Sequence, residues 1–167
     1  TLRGVLKPSE KVVVGVSGGK DSLAALHLLS KFLRKKPTAL IIDEGIVGYR
    51  EHTIEKAVNY CKAHGNPYVI ASCREEFGLT LDDLVKKGEK YPCSACGLLR
   101  RNIMNRKARE LGAQKLATGH NLDDEAQAIM MNFLKGDVFR SARMGVVAGV
   151  RSFEGFVPRI KPLRECP

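Results

Sequence analysis

The chain has 167 residues, enough for one domain with a real hydrophobic core. Its 44% hydrophobic and 28% charged residues are the balance of a soluble globular protein, and no apolar run reaches the roughly 18 residues that would cross a membrane. A net charge of +10, from 28 Lys and Arg against 18 Asp and Glu, favours a polyanionic partner such as nucleic acid, although a basic surface kept for solubility reads the same way.

Apolar runs and helical patterns alternate along the chain. Residues 11–16 predict a strand, 20–35 a helix, 39–42 a strand, 51–64 a helix and 68–71 a third strand. A helix over about 95–111, a strand over 115–118, a helix over 122–135 and a short last strand over 156–160, interrupted by Pro158, complete the pattern. Residues 136–156 carry glycine and arginine with little periodicity and are expected to form a mobile excursion. Repeated strand–helix units predict an α/β fold: a doubly wound, mostly parallel sheet in a single domain over 1–167. Such sheets bind ligands beyond the carboxyl ends of their strands. The polar motifs follow the strands, so one rim is expected to collect the chemistry. Thr1 and Pro167 carry no starting or stopping logic, so the chain is expected to be a piece of a longer protein.

The first motif joins the first strand to the first helix: Gly15, Val16, Ser17, Gly18, Gly19, Lys20, Asp21, Ser22. Glycines let backbone approach an anion closely, the first helical turn points free N–H groups at it, and Lys20, Ser17 and Ser22 add a charge and hydroxyl donors. The device suits a phosphate or pyrophosphate. It is not a Walker A loop, because Val14 stands where that motif needs glycine, nor a dinucleotide fingerprint, because Ser17 stands where that one does. Asp43 follows the second strand. After the fourth come Gly119, His120, Asn121, Leu122, Asp123 and Asp124. Asn121 can cap the next helix and the acids complement its dipole; two adjacent acids facing a pyrophosphate can equally hold Mg²⁺.

Five cysteines occur, an odd count that argues against a disulfide framework and for a reducing, cytoplasmic setting. Cys93 and Cys96 form a C-x-x-C at a helix start, where the local field and Arg100 and Arg101 favour thiolates. A redox pair, half of a zinc site or packed cysteines are the other readings of such a pair. Cys61 and Cys73 read as small buried hydrophobes. Arg100, Arg101, Arg106, Lys107 and Arg109 on one helix, with Lys135, Arg140, Arg143 and Arg151 beyond it, read as a solvated charged face or an RNA groove; between 97 and 122 only Glu110 is negative.

The SGGKDS loop resembles the pyrophosphate loop of the PP-loop ATPase superfamily, whose members split ATP into AMP and pyrophosphate. With PCSACGLLRR and ATGHNLDDEA in the same order, the chain closely resembles the tRNA 2-thiouridine synthetases and their 2-thiocytidine relatives over nearly its whole length. That resemblance implies a Rossmann-like nucleotide-hydrolase fold and an ATP-dependent tRNA sulfurtransferase. Gly15, Ser17, Gly18, Gly19, Lys20, Asp21, Ser22 and Asp43 would border ATP with Gly119, His120 and Asp123. Asp124 would handle metal or protons, and Arg100 would point into the site. It further implies Mg²⁺ and a [4Fe-4S] cluster held by Cys93, Cys96 and a third cysteine. Cys166 sits too close to the Lys161-Pro162-Leu163 segment to match that third ligand, which is expected past the chain end. Implied partners are tRNA, a ubiquitin-like sulfur carrier ending in a thiocarboxylate, and a second copy as a homodimer; no membrane is implied, and zinc is expected only in a ribbon not present here. A 2-thiocytidine synthetase or another PP-loop ligase, such as one making lysidine, is the alternative, and a non-enzymatic RNA-binding module is a third reading.

Overall fold

The computed structural model describes residues 4–139, 147–148 and 155–167. The expected excursion and Arg140, Arg143 and Arg151 therefore lie largely outside the described residues.

The order is β1 (Val12–Val16), α1 (Lys20–Phe32), β2 (Thr38–Asp43), α2 (Arg50–His64), β3 (Tyr68–Ser72), α3 (Cys73–Phe77), α4 (Leu81–Lys86), α5 (Pro92–Glu110), β4 (Lys115–Thr118), α6 (Leu122–Leu134), β5 (Val147–Ala148) and β6 (Arg159–Ile160). The sheet runs β3-β2-β1-β4-β6-β5 among the described residues, parallel except for β5 against β6. The doubly wound expectation holds.

Side chains alternate across the sheet, and each face has its own core. Val12, Val14, Val16, Ala39 and Ile41 pack with Leu26 and Leu29 of α1 and Ala57 and Cys61 of α2. Val13, Leu40, Ile42 and Leu116 point the other way, onto Ile103, Met104 and Ala108 of α5 and onto Cys73. Both Cys61 and Cys73 are fully buried, as expected of small hydrophobes.

Differences from the sequence reading have local causes. The last strand shrinks to Arg159–Ile160 because Pro158 has no N–H to give, although its carbonyl still accepts from Leu116 at 3.0 Å. Helices α3 and α4 were not expected. Ser72 caps α3, and Thr80 and Asp83 form a reciprocal capping box on α4. Helix α5 starts at Pro92 rather than about 95, so the C-x-x-C lies inside its first turns. No helix of the described residues is long and apolar enough to cross a membrane.

Candidate functional site

The strand β1 ends between its two parallel neighbours, and the chain leaves it through a loop held by its own serines. Ser17 N–H donates to Ser22 Oγ at 3.2 Å, Ser22 Oγ donates to the Gly19 carbonyl at 2.8 Å, and Gly19 N–H reaches Ser17 Oγ at 3.3 Å. Gly19 is the N-cap of α1 and offers no side chain, so the first-turn amides stay open to an anion. Gly18 has φ +89°, and a Cβ there would meet the Thr53 carbonyl oxygen at 2.2 Å; only glycine fits. Gly119, after β4, approaches α1 as closely, since its added Cβ would lie 2.7 Å from the Ser22 nitrogen.

These close approaches frame a cavity of about 390 Å³ at the carboxyl ends of the strands. Of the residues expected at the site, it is lined by Gly15, Ser17, Gly19, Asp21, Ser22, Arg100, Gly119, His120 and Asp124. Gly18, Lys20, Asp43, Asp123 and both cysteines of the C-x-x-C, Cys93 and Cys96, are not among the lining residues. Gly18 is turned into Thr53, and the Lys20 side chain is solvent-exposed, 3.8 Å from Asp21. Asp43 lines a neighbouring cavity of about 300 Å³ with Arg74, Asp82 and Lys86, its Oδ1 taken by Gly45 N–H. Asp123 is exposed on the first turn of α6. Asp124 also serves its helix: its Oδ2 accepts from Asn121 N–H at 3.0 Å while Asn121 Oδ1 accepts from Asp124 N–H. The expected Asn121 cap is present, and Asp124, read from sequence only as complementing the dipole, closes it reciprocally while also standing on the cavity wall.

A buried arginine that belongs to no motif in the sequence ties this wall together. Arg50 donates from Nε to the Ile42 carbonyl at 2.7 Å and from Nη1 to the Ser17 carbonyl at 2.8 Å, and its Nε lies 2.6 Å from Glu44 Oε2. Arg50 and Glu44 are both nearly closed to solvent. The other Glu44 oxygen faces Arg100 at 3.8 Å, one helical turn after Cys96. An arginine chain thus runs from the phosphate loop to the C-x-x-C helix. Its contacts span 33 residues and leave no spacing signal.

Residues 2–164 match the model of the PP-loop domain. The chain belongs to that family. It is 40% identical over 166 residues to "tRNA 2-thiolation protein NcsA" of Haloferax volcanii, covering 93% of this chain and 52% of that one. It is 40% identical over 169 residues to "Cytoplasmic tRNA 2-thiolation protein 1" of Caenorhabditis elegans, covering 97% and 44%. Among solved structures it resembles the U34-tRNA thiolase NcsA of Methanococcus maripaludis with its [4Fe-4S] cluster: TM-score 0.85, 43% identity, 98% of this chain and 54% of that one. An NH3-dependent NAD synthetase of Campylobacter jejuni shares the fold at a TM-score of 0.52 and 23% identity. The chain spans about half the length of the curated relatives it matches.

In this PP-loop domain Cys93 is exposed, Cys96 half-buried, and both are free thiols. Burial and then the Glu44 carboxylate raise the Cys96 thiol above its ordinary value, against Arg100. This corrects the expectation that helix and arginines together favour a thiolate there; burial first, and then the Glu44 carboxylate, work against them. Cys73, which the same Glu44 faces, is pushed up to about 11, burial being the larger cause. His120, bonded through Nδ1 to Thr118 Oγ1 at 2.9 Å, has its proton affinity lowered by loss of water around the ring and then by Lys161. Two unpaired thiols of a C-x-x-C fit a soft iron–sulfur group in kind. Among the described residues, no three His, Cys, Asp or Glu converge into a metal-holding set.

The basic face is also partly corrected. Arg106 and Lys107 both pair with Glu76 of α3, Lys107 at 2.8 Å, and Arg106 lies over the Phe77 ring. Those two cations are internal ties, supplied with an acid from a helix the sequence did not announce. Arg101 and Arg159 join Arg100 on the cavity wall.

Proposed function

We propose that this PP-loop domain is the ATP- and sulfur-handling part of a tRNA 2-thiolating enzyme acting on uridine. The observation that carries the reading is the shared cavity: the phosphate loop, the His120–Asp124 loop and Arg100 of the C-x-x-C helix line one wall. The loop amides, Ser17 and Ser22 would hold the phosphates of ATP, with Lys20 swinging in from solvent and Asp124 and Asp123 holding Mg²⁺. Asp43 would border the adenosine from the adjoining cavity.

The uracil O2 would attack the α-phosphorus of ATP, forming an O–P bond and releasing pyrophosphate. That turns a poor leaving group into AMP. A sulfide equivalent would then form a C–S bond at C2 as the C–O bond breaks and AMP departs. Arg100 and Arg101 would offset the phosphate charge in this low-dielectric pocket. Cys93 and Cys96 would hold the iron–sulfur cluster, which when bound supplies a binding place for the incoming sulfur. The thiocarboxylate of a ubiquitin-like carrier is the proposed sulfur source, and the wobble uridine the proposed substrate, because the 43% identical solved relative is a U34-tRNA thiolase.

The experiment is anaerobic purification with iron and sulfide analysis, followed by ATP-dependent thiolation of tRNA transcripts read by nucleoside mass spectrometry. Thiouridine with ATP, lost together with iron in Cys93→Ala, is the expected result. ATP-dependent modification without sulfur incorporation, unchanged in Cys93→Ala, selects a PP-loop ligase instead; thiouridine formed without loss in Cys93→Ala overturns the role given to that cysteine. Light scattering and Mg²⁺ titration of nucleotide binding in the same preparation test the homodimer and the metal.

A further inference from the structure

Glu44, the residue after β2, is 5% exposed and lines the main cavity. The chemistry proposed above gives it no part. Its two oxygens face different arginines: Oε2 lies 2.6 Å from Arg50 Nε, and Oε1 lies 3.8 Å from Arg100 Nη1. Both arginines balance its charge. Arg50, however, directs its hydrogens to the Ile42 and Ser17 carbonyls and to Thr53 Oγ1. At 3.8 Å, Arg100 is too far for a hydrogen bond. Oε2 has no hydrogen-bond donor among the described residues. A buried carboxylate without donors costs free energy, and a ligand N–H in the cavity would recover it.

The place of Glu44 says which N–H. Through Arg50 it is tied to the Ser17 carbonyl of the phosphate loop. Through Arg100 it faces helix α5, one turn after Cys96. In the proposed reaction a uracil has to reach the phosphate loop through O2 and the incoming sulfur through C2, and N3 is the ring atom beside C2. Uracil carries a hydrogen on N3, with a carbonyl on either side. A carboxylate next to a guanidinium complements that edge: the carboxylate accepts from N3–H while the guanidinium donates to a carbonyl. Cytosine presents a bare lone pair at N3, which a carboxylate repels. In the same reading the adenosine lies towards Asp43 in the adjoining cavity, so this edge is left to the second base.

We propose that Glu44 is a specificity-determining residue: it accepts a hydrogen bond from N3–H of the target base and so selects uridine over cytidine. The identity of that base rests on the thiolation reading.

The test compares anticodon stem-loops that differ only at the wobble position, which carries uridine, cytidine or 3-methyluridine. Thiolation by the anaerobically prepared full chain with ATP is read as the ratio of kcat/KM for uridine to that for cytidine. A ratio cancels any loss common to both bases, including damage to ATP binding or to stability. Glu44→Gln offers an amide that can turn its oxygen to uracil N3–H or its N–H to cytosine N3. The ratio is therefore expected to fall roughly 10- to 150-fold, the worth of a hydrogen bond to a charged group. A residue that only supports Arg50 would lower both rates and leave the ratio unchanged, and that result overturns the proposal. If Glu44→Gln does not fold, the wild-type chain carries the test by itself. Its binding to the uridine and 3-methyluridine stem-loops is measured by fluorescence anisotropy, with a non-hydrolysable ATP analogue and no sulfur source. The 3-methyl base lacks the N3 hydrogen and is expected to bind at least about tenfold more weakly. Equal binding overturns the proposal. This arm involves no sulfur transfer, so the two readings fail separately. Absence of 2-thiouridine from the wild type overturns thiolation, while discrimination between the stem-loops still reports the N3 contact.

Discussion

Gly119→Ala isolates the close approach on which the cavity depends. Gly119 does not need a left-handed backbone, so the substitution adds a methyl group without conformational strain. That methyl would stand 2.7 Å from the Ser22 nitrogen and 2.8 Å from the Asp21 carbonyl carbon and the Ser22 Cα. These are backbone atoms of α1, which cannot rotate away. Restoring ordinary contact at 3.4–4 Å requires the β4–α6 loop to retreat by about 0.7–1.3 Å. Overpacking of this kind costs about 1–3 kcal/mol of stability. The retreat also separates His120 and Asp124 from the phosphate loop, and a misplacement of about 1 Å costs roughly 100-fold in a positioned reaction. Urea unfolding and calorimetric titration with a non-hydrolysable ATP analogue measure the two effects. Gly97→Ala is the control, because its methyl would meet only the flexible end of Arg101 at 3.1 Å, and alanine is better than glycine inside a helix by roughly 1 kcal/mol. Wild-type stability and nucleotide affinity in Gly119→Ala would refute the reasoning.

Arg50→Met is expected to cost about 3–5 kcal/mol, since it leaves Glu44 buried without its cation and frees the Ser17 and Ile42 carbonyls; chemical denaturation measures it. Native alkylation at pH 8, read by mass spectrometry, is expected to label Cys93 and Cys166 and to spare Cys61 and Cys73, the last being thiolate in roughly one molecule per thousand. The buried Glu125 carboxylate, paired with Lys161 and Arg164 of the segment after β6, predicts a pH signature. Its carboxyl is depressed in the folded chain, so its stabilisation is complete above the ordinary carboxylate range and is lost as pH falls through the lowered value. Thermal melts of wild type and Glu125→Gln are therefore expected to differ at neutral pH and to converge in acid; a constant difference down to pH 2 would refute it.

The sequence by itself determined the sheet and its winding, because each strand is a short apolar run whose residues alternate between two helix layers. It also determined the chemistry after β1 and β4: an anion loop and an acidic helix start are local devices, written in consecutive residues. The capping of α6 by Asn121 was legible for the same reason, whereas the reciprocal bond from Asp124 came from the structure. Tertiary structure alone decided which of these residues share a wall. Asp43 and Asp123 sit in the right motifs yet do not line the main cavity, because strand pleat and helix rotation aim them elsewhere. Arg50 and Glu44 line it without belonging to any motif, and Arg159 does so from the short last strand. The raised Cys96 thiol came from burial and then from a carboxylate 52 residues earlier in the chain. Local backbone chemistry is fixed by neighbours in sequence, whereas electric field and burial are sums over neighbours in space, and only the fold supplies those.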